Sequence, residues 1–181
     1  MSTTIIVLGF VGLAAILAIV IYNRFIKRQN LVMEAWSGID VQLKRRHNLI
    51  PNLIETVKGY SKHEAKVLSE LTELRTGSQQ VGERGQQETQ ISQAIKNLLV
   101  VAEDYPDLKA SQNFLDLQDN LDEIETEIQH ARRYYNGAVR DLNILVESFP
   151  SNLIAKIFGF ALAEFFELDS TASRAVPQVK F

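Results

Sequence analysis

At 181 residues the chain has room for one ordinary domain and an appendage, and too little for two catalytic domains around independent cores. Its composition, 46% hydrophobic and 23% charged, excludes global disorder, and the scarcity of breakers (9 Gly, 4 Pro) argues against a sandwich of short strands and for long helices. Cysteine is absent, which excludes disulfides, thiolate-held metals, thiol catalysis and a lipid anchor on Cys, while the modest net charge of −3 conceals a segregation of charge along the chain.

The first element in chain order is the uncharged run of eighteen residues from Ile5 to Tyr22. At about 1.5 Å per residue it makes roughly 27 Å of helix, close to the hydrocarbon thickness of a bilayer. Ile5, Ile6, Val7, Leu8, Phe10, Leu13, Ile16, Leu17, Ile19, Val20, Ile21 and Tyr22 are the expected anchor. A cleaved signal peptide is the rival, but no Lys or Arg precedes the run and no pair of small residues marks a cut near Ala18 to Ile21. Arg24, Lys27 and Arg28 follow at once, so the positive-inside bias predicts an N-out, C-in topology with a cytoplasmic body.

Beyond the anchor, Val32, Trp36, Ile39, Leu43, Ile50, Ile54, Val57 and Leu68 recur at helical spacing and predict a first soluble helix, which could continue from the anchor. Arg46 or His47 interrupts that stripe, and Pro51 predicts a kink over His47 to Pro51. Gly77, Gly82 and Gly85 among Ser and Gln predict a mobile loop over residues 76–87. A second helix is expected from Glu88 to Tyr105, stopped by Pro106, with a short turn through Ala110. The third helix carries the clearest pattern: Phe114, Leu117, Leu121, Ile124, Ile128, Ala131, Tyr135, Ala138, Leu142, Leu145 and Phe149 alternate steps of three and four. Sustained over that length, the pattern predicts a coiled-coil-like seam against the first helix, ended by Pro150. Trp36 and Tyr135, with Tyr134, read as core aromatics before they read as a ligand cage.

After Pro150, the segment Leu153, Ile154, Ile157, Phe158, Phe160, Leu162, Phe165 and Phe166 is too apolar for a solvated helix and too short for an ordinary span. Core packing, subunit contact and interfacial membrane binding remain open for it; Leu153, Ile154, Ile157, Phe158, Phe160, Phe165 and Phe166 are the candidate contact residues. An extended tail follows Ser170. The organisation is therefore an anchor over residues 1–24, an antiparallel all-α bundle over 25–168 with three long helices and a short Phe-rich one, and a tail over 169–181.

Nine basic residues against four acids between Arg24 and Lys66 make the first half of the bundle positive, and nine acids against Lys109 alone make Glu103 to Glu127 negative. The two blocks are either solvated helix faces or partners that fix register between helices or subunits. The run Lys44, Arg45, Arg46 and His47 lacks the stacking and base-reading groups of a nucleic-acid surface, so no nucleic-acid partner is expected. A single Glu127-x-x-His130 step flanks the seam, where a di-iron bundle needs two such steps and two further glutamates inside. Neither a phosphate loop nor a zinc-protease pair of histidines occurs, and Ser37, Ser61 and Ser148 sit without a glycine elbow. No catalytic residue, cofactor or metal is expected.

The stretch Glu34-Ala-Trp-Ser-Gly-Ile-Asp-Val-Gln-Leu-Lys-Arg-Arg-His-Asn-Leu-Ile-Pro-Asn-Leu53, followed by Val57-Lys-Gly-Tyr60, resembles the signature of bacterial LemA-family membrane proteins. Ala102 to Ala110, Asn113-Phe114, Tyr135-Asn136, Phe149-Pro150, Gly159-Phe160 and the closing Pro177-Gln-Val-Lys-Phe181 extend the likeness over nearly the whole chain from Tyr22. Asn48, Leu142 and Ala161-Leu162 depart from the family pattern, the last making the Phe-rich segment more apolar. The resemblance implies a helical domain behind one anchor in the bacterial inner membrane, with no enzymatic reaction to transfer. A self-assembling scaffold in membrane organisation or envelope stress is the expectation. The alternative is an adaptor for a membrane enzyme or sensor such as a quality-control protease. Partners are accordingly the lipid bilayer, further copies of the chain and an unidentified membrane protein.

Overall fold

The computed structural model describes residues 2–58, 81–102 and 104–167, and every regular element among them is an α-helix. In chain order these are α1 (Ser2–Lys58), α2 (Val81–Ala102), α3 (Pro106–Lys109), α4 (Gln112–Glu147) and α5 (Ser151–Phe158). A long apolar N-terminal helix followed by further helices is the expected fold class. The continuation to Leu68 and the tail after Ser170 lie outside the described residues.

The apolar run and the first helix expected beyond it form one element of 57 residues. Pro51 lies inside it, exposed, and the helix continues because Ile50, Leu53 and Val57 on the opposite side are fully packed and hold both flanks in place. The expected loop over residues 76–87 is corrected from Val81 onward, where α2 already runs, seven residues before Glu88. Glycine costs such a helix about 1 kcal/mol against alanine, but Gly85 has a packing reason: a Cβ there would collide with the carbonyl oxygen of Glu167. At its other end α2 stops at Ala102, short of Tyr105, and the expected turn is the one-turn helix α3 with Pro106 at its first position, where the missing N–H is not needed. Gly159, in the left-handed conformation at φ 75°, caps α5, and the Phe160 N–H closes on the Ala155 carbonyl at 2.9 Å.

The chain forms two compact units. The first comprises Met1–Asp40 and His130–Glu164. Its core holds Phe25, Leu142, Leu145 and Ala155, with Ile21, Val32, Ile154 and Phe160 against it. The Phe25 and Phe160 rings stack with centroids 4.5 Å apart, and Trp36 lies 5.5 Å from Tyr135. Residues 160–164 are strapped to α4 by polar bonds. The Tyr135 hydroxyl donates to the Glu164 carbonyl at 2.9 Å, and Asn143 both donates to the Ala163 carbonyl (3.0 Å) and accepts from its N–H (2.8 Å). Burial, reinforced by the Glu164 charge, pushes the Tyr135 phenol up from its ordinary pKa, so it stays a donor.

The second unit comprises Val41–Gln129 and Phe165–Phe181. Ile50, Leu53 and Val57 of α1, Ile91 and Leu98 of α2, Leu108 of α3, and Phe114 and Leu121 of α4 make its core. Each large side chain so buried contributes about 1.5–3 kcal/mol of transfer free energy.

Candidate functional site

From Ile5 to Val20 every large apolar side chain is exposed, so this part of α1 is largely uncovered. By length and composition it is able to cross a membrane. Ile21 and Tyr22 are half-buried, Arg24 and Lys27 are exposed, and Arg28 pairs with Asp141 at 3.0 Å. Helix α5 lies at the end of the apolar run: the Tyr22 ring meets Phe158 edge-on at 4.9 Å and Phe160 at 5.6 Å. Beside it, a cavity of about 450 Å³ opens between the last turns of the run and the chain around Ser148 to Ser151.

The candidate contact residues divide. Leu153, Ile157 and Phe158 are exposed on α5, with Ile157 at 72%, and Phe165 is exposed in the other unit. Ile154 and Phe160 are half-buried in the core of the first unit, and Phe166 is fully buried, so a contact role for Phe166 is corrected to core packing. On the seam, Ile39, Leu43, Phe114, Leu121, Ile124, Ile128, Tyr135, Leu142 and Leu145 are buried, while Trp36 and Leu117 are half-buried. Phe149 departs from it at 80% exposed, because α4 ends at Glu147 and the chain turns before Pro150. Tyr134, expected as a core aromatic, is also exposed, since it neighbours the buried Tyr135 on the helix.

A polar cluster that periodicity did not assign lies inside the second unit. Arg46, only 2% exposed, occupies the seam position between Leu43 and Ile50. Its Nη2 donates to the Glu88 carboxylate and, at 3.3 Å, to the Glu88 carbonyl; Nη1 donates to Ser92 Oγ at 2.7 Å and to Glu125 Oε2 at 2.9 Å. The His47 Nε2 lies 3.3 Å from the other Glu88 oxygen, outside hydrogen-bond geometry. Burial is the largest single influence on the Glu88 carboxyl and raises its pKa, yet His47 and Arg46 together outweigh it and hold the group below the ordinary carboxylate range. An ionised glutamate clasped by an arginine is not poised to donate a proton. The cluster instead ties α1, α2 and α4 in one register.

The signal for this cluster was the spacing itself. Positions 39, 43, 46, 50, 53 and 57 step by four and three, so residue 46 falls on the stripe, and Glu88 precedes Ile91, Ile95 and Leu98 by the same rule. One contact between the charge blocks is realised here, Arg46 with Glu125. Glu127 and His130 are exposed, the histidine near Arg133 at 3.1 Å, and the described residues contain no grouping able to hold a metal ion.

A sequence model of the LemA family matches residues 35–181. Among curated proteins, the magnetosome protein MamQ 2 of Paramagnetospirillum magneticum is 25% identical, covering 81% of this chain and 64% of that protein. Protein LemA of Metamycoplasma hominis is 26% identical over 74% of this chain and 63% of its own length. MamQ of Magnetospirillum gryphiswaldense is 21% identical over 80% and 64%. This chain thus spans a little under two thirds of the relatives it matches, and none of their names denotes an enzymatic activity. Together with the apolar run of α1, these likenesses support a membrane-associated protein. The match over residues 35–181 makes the chain a member of the LemA family.

Proposed function

We propose that this protein is a non-enzymatic, membrane-anchored scaffold that self-assembles through its helical domain. The observation that carries the reading is the 57-residue α1, which runs from an uncovered apolar stretch directly into the packed core of the first unit at Phe25. A helix continuous across that boundary transmits position from the bilayer to that core. Leu153, Ile157 and Phe158 leave an apolar face on α5 of the kind soluble surfaces rarely keep, and that face is the assembly surface. Arg24, Lys27 and Arg28 favour a cytoplasmic body in the inner membrane of a bacterium, with the N-terminus outside.

Mass measurement of the full chain in mild detergent and in native nanodiscs tests this. Oligomers are expected, and Leu153→Ser with Ile157→Ser and Phe158→Ser is expected to reduce them to monomers with helicity retained. Monomers of the unaltered chain in both media would remove the scaffold and leave an adaptor of a membrane enzyme or sensor as the better account.

A further inference from the structure

The cavity beside the end of the apolar run has a graded wall. Leu17, Ile21, Arg24 and Arg28 all line it, and their spacing of four, three and four puts them on one face of α1. Along that face, about 16 Å of helix passes from apolar to basic side chains. Ile144 and Phe149, both exposed apolar side chains, line the cavity as well.

Charge on this wall is unevenly satisfied. Arg28 is matched by Asp141 at 3.0 Å, and the other oxygen of that carboxylate lies 3.9 Å from Arg140. Arg24 has no ion-pair partner among the described residues. The cavity thus presents one uncompensated cation at the polar end of an apolar trough whose other end is lined by Leu17, in the stretch of α1 that would lie in hydrocarbon.

From this geometry we propose that the cavity is a binding site for one anionic phospholipid of the leaflet adjoining the helical domain, with its phosphate on Arg24 and an acyl chain along Leu17, Ile21 and Ile144. This rests on the reading of Ile5 to Tyr22 as a membrane span. A zwitterionic lipid fits less well, because its ammonium needs a free carboxylate and the Asp141 carboxylate is already held by Arg28. The volume of about 450 Å³ suits a headgroup and the first part of one chain, the remainder extending into the bilayer.

The test is native mass spectrometry of the delipidated full chain in non-ionic detergent, titrated with phosphatidylglycerol and with phosphatidylcholine of identical acyl chains. One phosphatidylglycerol per chain is expected, bound about tenfold or more tightly than phosphatidylcholine, because both lipids carry the phosphate but only phosphatidylcholine must also set an ammonium beside the cations Arg24 and Arg28. Arg24→Gln should erase that preference and Arg24→Lys keep most of it. Ile144→Trp, which narrows the cavity at the acyl-chain wall, should weaken binding of both lipids with helicity intact; if it fails to fold, the Arg24 pair decides alone. Equal binding of the two lipids, or undiminished phosphatidylglycerol binding by Arg24→Gln, overturns the site. So does displacement of the lipid by equimolar inorganic phosphate, or an Ile144→Trp variant that changes oligomer mass and leaves lipid binding untouched. Release of the chain from membranes by alkaline carbonate would instead overturn the span itself, whatever the titration shows.

Discussion

Replacing Arg46 by Met isolates the buried ion cluster, because it keeps the aliphatic stem that packs in the seam and removes only the guanidinium. The Glu88 carboxylate, almost fully buried, then has two courses. Remaining ionised without its partner costs several kcal/mol. Taking up a proton at pH 7 costs about 1.4 kcal/mol for each unit above an unfolded pKa near 4.3, or about 3.7 kcal/mol, and this caps the electrostatic loss. Hydrogen bonds to Ser92, Glu125 and the Glu88 carbonyl are lost as well, at roughly 1 kcal/mol each. A total loss of about 4–7 kcal/mol is expected at pH 7.

That loss should shrink by about 1.4 kcal/mol per unit as pH falls toward 5, since protonating Glu88 becomes easier. Adding Glu88→Leu should restore most of the stability, because an apolar pair of similar volume needs no charge partner. Urea unfolding of the full chain in detergent, followed at 222 nm at several pH values, measures each of these. A loss below about 1 kcal/mol that is the same at pH 7 and pH 5 would show that the guanidinium contributes nothing as a charge.

In the unaltered protein the Glu88 pKa lies below its unfolded value, so its contribution is fully present above about pH 4.3 and is lost as pH falls below that; Glu88→Gln should flatten this acid limb of a pH titration of stability. Leu121→Asp, which sets a carboxylate in the apolar core, should abolish cooperative unfolding or lower stability by several kcal/mol in the same assay. Gly85→Ala should destabilise by about 1–3 kcal/mol through collision with the Glu167 carbonyl, whereas Gly38→Ala, where a Cβ meets nothing, should stabilise α1 by about 0.5–1 kcal/mol. Asn143→Ala removes both bonds to Ala163, and hydrogen exchange at residues 160–164 should accelerate while exchange in the middle of α4 stays slow.

Helix α4 was legible because its apolar positions keep steps of three and four over more than thirty residues, and a pattern of that length has one structural solution. The end of that helix was less so: Phe149 continues the spacing, but Pro150 ended the element before its side chain could reach the core. Arg46 sat on the stripe of α1 and read as an interruption, since its acceptors come from α2 and from Glu125 of α4, and nothing local in a sequence marks a partner so distant. Gly82 and Gly85 suggested a loop for a related reason: the backbone of Glu167, against which Gly85 packs, is more than eighty residues away in the chain. The Phe-rich segment was identified by composition, but composition does not separate Phe158, exposed on α5, from Phe166, sealed in the second unit. Arg24 and Arg28 were legible as topology signals, whereas their place on the wall of a cavity depends on how α1 and the end of α4 pack.

The absence of cysteine provides a clean background for the measurement that bears most directly on a membrane-spanning anchor with a cytoplasmic body. Thr4→Cys and Gln129→Cys, both at exposed positions, are introduced singly and treated in intact cells with a membrane-impermeant maleimide. The account predicts labelling at position 4 from outside, and labelling at position 129 only after the membrane is permeabilised. Labelling of both positions from outside, or of position 129 alone, would contradict it.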